Sequence, residues 1–309
     1  MKNVYSIQIE YSPIYECLIS FYAYVNQKES KHFWLGSAWR EQTRQQLPAS
    51  FAAELEDERW EVLHRIVLLA AQSPQKESVE AFLAWLEGLP AGEMYERLAP
   101  WVDAIPLNLG EIRDKSLSLL TRWNETYFSR LQTFSSEQVR ESARHFQQLA
   151  ATLDGPALID AATNGIWIEP TESLQRVVLV PQVHCAPATI LDFHGSMATV
   201  LYPVIDGELI REEPIAKLLG ITQCLADEKR LLILRALAEK SHTLGELQQA
   251  VSLAKSTVHH HVTALRRAGL IRAHYLDHTA PHAYSLRESA LEELPGLLSR
   301  FLRNGDRRR

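Results

Sequence analysis

Apolar residues recur every three or four positions through most of the first 150 residues, the spacing of helices that bury one face. IYECLISFYAYVN (14–26) is apolar enough to predict a buried helix. WEVLHRIVLLAAQ (60–72), SVEAFLAWLEGL (78–89), EMYERLAPWV (93–102) and EIRDKSLSLLTRWNETYFSRL (111–131) continue the pattern. A short alternating stretch, VYSIQIE (4–10), predicts a strand, and the aromatic-rich HFWLGSAW (32–39) reads as a loop. Ser136 and Glu137 open another helix, which runs to about Leu153, where Asp154-Gly155-Pro156 stops it. The period then changes from helical to strand-like. RVVLVPQ (176–182), ATILDFHG and MATVLYPV (188–204) are rich in β-branched and aromatic residues, predicting two or three strands that end at an Asp206-Gly207 turn.

Acidic REEP (211–214) leads into a long helix from about Ile215, running as IAKLLGITQCLADEKRLLILRALAEK. Two shorter helical stretches follow, TLGELQQAV (243–251) and AKSTVHHHVTALRRAG (254–269), with only a tight turn between them. Leu244, Leu247, Val251, Leu253, Val258, Val262, Leu265 and Leu270 fall at core spacing, so the pair reads as a helix-turn-helix. Gly269 is placed to end the second helix. IRAHYLDHTAPHAYSL (271–286) alternates around a turn at 277–281 and fits a β-hairpin wing, and a last helix spans about 288–302. The expected fold class is therefore mainly α with small β elements (α+β). A helical N-terminal domain with a short β patch (1–210) precedes a C-terminal winged helix-turn-helix (215–302).

LADEKRLLILRAL, TLGEL, SLAKSTVHHHVTALRRAGLI and the final YSL resemble, in order and spacing, the winged helix-turn-helix of the ArsR family of bacterial repressors. The likeness covers about residues 221–290. It implies that 254–268 is the recognition helix, that 271–286 is the wing, and that double-stranded DNA is bound by a homodimer. SPIYECLIS, VVLVPQ and TVLYPV are similar to the uncharacterised region ahead of such modules in some larger bacterial regulators, a likeness that brings no activity with it.

Charge divides the chain in the same place. From residue 221 onward there are 14 basic against 9 acidic residues, and before it 18 against 29; seven of the twelve histidines also lie in the later part. Only the basic C-terminal part suits a polyanion. No apolar run approaches a membrane span. MKNVYSIQIEYSP lacks the basic start and apolar core of a signal peptide, and three scattered cysteines (Cys17, Cys185, Cys224) cannot form a disulfide framework, so a cytoplasmic protein is expected.

The triplet His259, His260 and His261 looks like a chelating cluster until it is placed on a helix. At 100° per residue the three rings point in three directions, whereas one metal needs ligands at i, i+3 or i+4. His261 falls beside the Val258/Val262 stripe and is expected half-buried. Thr257, His259, His260 and Thr263 are expected to face bases, and Lys255, Ser256, Arg266 and Arg267 mainly phosphates, with Arg272 contacting DNA at the wing base. A histidine is fully charged only below about pH 6.5, so binding is expected to strengthen in mild acid. Two features depart from the family pattern. Ala254 stands where a serine cap is usual, although Ser256 could cap one turn later, and the wing tip carries His278 and His282 but no Lys or Arg.

No resident cofactor or metal is expected. TLGELQQAV has no cysteine pair and LRESALEELPGLLSRFL no histidine, which removes the two metal sites that the family resemblance implies. Cys224 reads as a small core residue. His184, Cys185, Asp192 and His194 in the β patch form the one remaining metal candidate, less favoured than polar residues on the solvent face of a strand. Neither a Gly-rich phosphate loop, a G-x-S-x-G elbow nor an H-E-x-x-H motif occurs. ELEDERWE (54–61) reads as a solvated helix start. Phe33, Trp34, Trp39, Trp60, Trp85, Trp101 and Trp123 read as core in preference to the lining of a ligand pocket.

The sequence thus predicts a transcriptional regulator, a non-enzymatic repressor that binds palindromic operator DNA as a dimer. The acidic first domain would sense a small-molecule effector or hold the dimer together. The alternative is an enzyme or protein-interaction module carrying an appended DNA-binding unit.

Overall fold

In a computed structural model, residues 5–26, 33–56, 61–102, 104–131, 134–204 and 213–304 are described. Trp60, two of the ELEDERWE acids (Asp57 and Glu58), the Asp206-Gly207 turn and the last five residues lie outside them. The chain forms two compact units, and the border between them is not the one its composition predicts. Residues 6–148 with 173–205 make one unit; residues 1–5, 149–172 and 206–309 make the other.

The larger unit contains helices α1 (Pro13–Val25), α2 (Gly36–Gln46), α3 (Ala49–Glu56), α4 (Glu61–Gln72), α5 (Val79–Glu87), α6 (Ala91–Leu98), α7 (Leu109–Thr126) and α8 (Phe134–Leu149). Its strands are β1 (Ser6–Ile9), β3 (Arg176–Gln182), β4 (Ile190–His194) and β5 (Met197–Pro203). Gly36, at φ +63°, starts a helix where a loop is predicted, so Gly36–Trp39 is helical and not loop.

The sheet order is β1-β3-β5-β4, with β1, β3 and β5 parallel and β4 joined to β5 as an antiparallel hairpin. Every residue of β5 and all but the first of β3 are buried, as expected of parallel strands covered on both faces. Val178, Val180, Met197 and Leu201 join the core around α1, whose Ile14, Leu18 and Phe21 are fully enclosed. Tyr202, on the alternate face of β5, meets Phe146 of α8 at a ring-centroid distance of 5.1 Å. The core reading holds for Trp123, wholly buried against Phe21 and Tyr24, and for Trp39, Trp85 and Trp101, which pack against the core, Trp39 on Tyr24 and Tyr127; it fails for Trp34, which is 47% exposed.

His184 is the pivot of a buried polar chain in this unit. Glu16 accepts from the backbone amides of Val183 and His184 and pairs with His184 Nδ1 at 2.5 Å. The Nε2 of the same ring lies 2.9 Å from the Tyr127 hydroxyl, which accepts from Trp39 Nε1 at 2.8 Å. A neutral ring carrying its proton on Nδ1 satisfies every member of the chain. The ring is committed to these partners, and no group of three or more His, Cys, Asp or Glu among the described residues is placed to hold a metal ion.

The smaller unit holds α9 (Gly155–Thr163), β2 (Ile166–Ile168), α10 (Glu213–Leu225), α11 (Glu228–Glu239), α12 (Leu244–Val251), α13 (Lys255–Arg267), β6 (Ile271–Tyr275), β7 (Ala283–Leu286) and α14 (Glu288–Asn304). The single long helix predicted from Ile215 is in fact two. Asp227 breaks it by capping α11, its carboxylate accepting from the Arg230 amide at 3.0 Å. Leu247, Val251, Val258, Val262, Leu265 and Leu270 form the expected core together with Ile221, Ile233 and Tyr284, and Leu244 and Leu253 pack against it.

α9 and β2 carry the largest correction. Asp154-Gly155-Pro156 stops nothing: Asp154 caps α9, and the proline sits in the first turn, where its missing N–H costs nothing. Asn164 and Gly165, both at positive φ, turn the chain into β2, which pairs in parallel with β6. The wing sheet is therefore three-stranded, β2-β6-β7, with a third of its strands supplied from about 100 residues upstream.

Candidate nucleic-acid interface

α12 and α13 are set against each other by their apolar stripes and by two turn devices. Thr243 and Glu246 form a reciprocal capping box at the start of α12, which holds the Glu246 carboxyl below its usual pKa through the Thr243 amide and hydroxyl. Ser252, in the left-handed conformation at φ +52°, makes the turn. α13 buries Val258, Val262 and Leu265, so its opposite side must face outward.

The outward side carries most of the predicted contacts. Lys255, Ser256, Thr257, His259, His260 and Arg267 are exposed, and Thr263 is half-buried. Ser256, His259, His260, Thr263 and Arg267 stand at i, i+3, i+4, i+7 and i+11, one continuous stripe. His261 turns away from it: only 12% of its side chain is accessible, and its Nδ1 lies 3.9 Å from Asp227 Oδ2. The Asp227 carboxyl is held below its ordinary pKa, mainly by the Arg230 amide, with His261 adding to the effect. Ala254 is the N-cap of α13 and supplies no side-chain acceptor; Ser256 does not take its place.

Two predicted phosphate contacts are turned elsewhere. Arg266 donates to the carbonyls of Asn164 at 3.0 Å and Thr163 at 3.2 Å, and burial works against its charge. Arg272 pairs with buried Asp160 through Nε at 3.1 Å and Nη2 at 3.2 Å and lies over the Trp167 ring. Arg287, absent from the predicted set, joins them, donating to Asp160 at 3.2 Å and to the Asn164 side chain at 2.6 Å. One carboxylate is thus shared by two guanidiniums. Gly269 completes the junction at φ +71°, where a Cβ would collide with the Asn164 amide. The physical reason for the correction is α9 and β2. They occupy the ground that the sequence leaves to phosphate, and no local motif announces a partner a hundred residues away.

The wing begins at Ile271 and ends at Leu286, with residues 277–280 and His282 exposed at its tip. His274 ties it to β2: Nδ1 is 2.7 Å from Glu169 Oε1 and Nε2 is 2.7 Å from Ser285 Oγ. Burial holds the His274 pKa down, against the opposing pull of Glu169.

A helix-turn-helix with an exposed polar second helix, followed by a hairpin wing, defines a winged helix-turn-helix DNA-binding unit. Residues 227–273 match the family model of bacterial regulatory proteins of the arsR family, and the chain carries a domain of that family. Among solved structures, the crystal structure of NolR from Sinorhizobium fredii is similar at 26% identity, covering 33% of this chain and 96% of that one, with a TM-score of 0.23. No curated protein matches the chain. The chain is a DNA-binding transcriptional regulator. None of its described helices is long and apolar enough to cross a membrane.

Proposed function

We propose that the chain is a repressor that binds operator DNA as a homodimer and releases it when the larger unit, a sensor and not an enzyme, takes up a small effector. The observation that carries this reading is the stripe Ser256, His259, His260, Thr263 and Arg267, polar and outward along α13. Thr257, His259, His260 and Thr263 read base edges; Lys255, Ser256 and Arg267 take phosphates. The unfilled cap at Ala254 leaves the first amides of α13, at the positive end of the helix dipole, for a phosphate as well. Arg266 and Arg272 leave the contact set and become residues that fix the recognition helix and the wing.

The homodimer reading rests on a strip of apolar side chains. Ile215 and Leu219 on α10 and Leu298 and Leu302 on α14 are exposed, the last at 67%, on two helices that pack together. A second copy of this chain covers the strip, and two-fold symmetry then places two copies of α13 on successive major grooves. A mobility-shift titration on DNA from upstream of the chain's own gene, at physiological salt, tests the whole reading. Specific retardation is expected, and its absence with correctly folded protein refutes operator binding. Leu298→Glu with Leu302→Glu should convert a dimer to a monomer in sedimentation and weaken that retardation; an unchanged mass refutes the dimer interface.

A further inference from the structure

The larger unit has a cleft of about 480 Å³ where β1 ends and the chain turns into α1. It lies beside the carboxyl end of β1, at the edge of the sheet. Its volume lies within the usual range for small-molecule sites. In a part of the chain with a large acidic excess, the charged residues lining this cleft are three cations, Lys76, Arg140 and Arg144, and one acid, Glu10.

The cations are not equivalent. Lys76 is satisfied, with Glu10 Oε2 and the Ala71 carbonyl each 2.9 Å from its Nζ. Glu10 is satisfied in turn by the Tyr15 hydroxyl and the Gln8 amide, each at 2.6 Å. Among the described residues, Arg140 and Arg144 share a single exposed carboxylate, Glu137, at 3.3 and 3.7 Å. One carboxylate cannot neutralise two guanidiniums, and at those distances it holds neither firmly. Arg140 is also laid over the Tyr11 ring, 5.4 Å from its centroid, which orients the fork without using its outer N–H groups. Gln147 and Gln8 add uncharged polar groups to the rim, and Ala143 and Ile9 an apolar floor.

From this arrangement we infer that the cleft is the effector site of the larger unit, and that its ligand is a small organic polyanion, carboxylate or phosphate, clasped by Arg140 and Arg144. This deepens the sensor reading above and rests on it. The arrangement also supplies a route to DNA. Arg140, Arg144 and Gln147 are on α8, and α8 ends at Leu149, where the segment carrying α9 and β2 begins. A ligand that shifts or stiffens α8 acts on the same stretch of chain that holds Arg266, Arg272 and Arg287.

The test uses the full-length protein with citrate and pyrophosphate as probes, by calorimetry at fixed ionic strength. Saturable binding of at least one probe is expected. Arg140→Gln with Arg144→Gln should weaken it at least tenfold, and so, independently, should Gln147→Glu, which places a carboxylate on the rim at almost no change in shape. Both are substitutions of exposed side chains, so circular dichroism melting should be unchanged. Citrate binding alone identifies a carboxylate ligand, and pyrophosphate binding alone a phosphate ligand. Heat no greater than that of sodium chloride, or binding that survives both variants, overturns the proposal. The bound probe should also change affinity for promoter DNA several-fold in the wild type and not in the variants, and an equal change in all three overturns the route through α8. Calorimetry needs no DNA, so failure of this site and failure of operator binding are told apart.

Discussion

At the residue scale, the three consecutive histidines divide by direction. His259 and His260 lie on the outward stripe of α13, and His261 turns inward toward Asp227. The stripe was legible in the sequence because Val258, Val262 and Leu265 fix the buried side, and a helix with one buried side has only one other. Replacing His259 and His260 by alanine is expected to weaken operator binding about tenfold or more, in keeping with about 1–3 kcal/mol for a good base contact. Nonspecific DNA binding should change much less in the same shift assay. Lys255→Ala should instead weaken binding to all sequences and lower the slope of log affinity against log salt by about one. His274 acts through stability. Its folded pKa lies below its ordinary value, so the unfolded chain takes up the proton first as pH falls. Below about pH 6.5 the wing sheet is expected to lose stability, seen as a falling melting temperature. His274→Gln should flatten that fall. Any pH dependence of DNA affinity must therefore be measured at pH values where the protein is still fully folded.

At the element scale, the helices with long apolar stripes and the β-branched runs were legible because their period is set by their own burial. What the sequence concealed depends on partners elsewhere. The three residues of β2 are too few to show a period. Asp-Gly-Pro serves equally as a stop and as a cap followed by an N-terminal proline. Whether Ala226-Asp227 breaks a helix depends on what packs around it. Arg266 and Arg272 look like phosphate ligands because a basic residue near a recognition helix has the same appearance whether its partner is DNA or a buried aspartate. Asp160 is that partner for Arg272 and also for Arg287. Asp160→Asn leaves two half-buried guanidiniums without their counter-charge and is expected to cost about 3 kcal/mol of stability in denaturant titration. Operator affinity should fall further than the loss of folded protein accounts for, since both the wing and the end of α13 are moored there.

At the scale of the whole molecule, the charge asymmetry located the DNA-binding end correctly but misplaced the border. Residues 149–172 lie in the acidic stretch of sequence yet fold with the basic unit, and both flanks of this segment belong to the larger unit. A fragment of residues 213–304 therefore contains every residue matched to the arsR family but lacks one strand of its sheet and the carboxylate for Arg272 and Arg287. It is expected to melt well below the full chain and to show weakened amide protection along β6. A peptide of residues 149–172 added in excess should restore part of both, and a fragment as stable as the intact protein would refute the interdependence.

The parallel pairing of β2 with β6 also has a consequence during synthesis. β2 leaves the ribosome roughly 100 residues before β6 exists, a delay on the order of 5–20 s at ordinary elongation rates. For that interval Ile166, Ile168 and the Asp160 carboxylate have no mate, and a strand edge in that condition is a template for other chains. The nascent regulator thus passes through a window in which its DNA-reading end cannot yet be assembled, and its yield should depend on translation speed and on chaperones that cover the waiting edge.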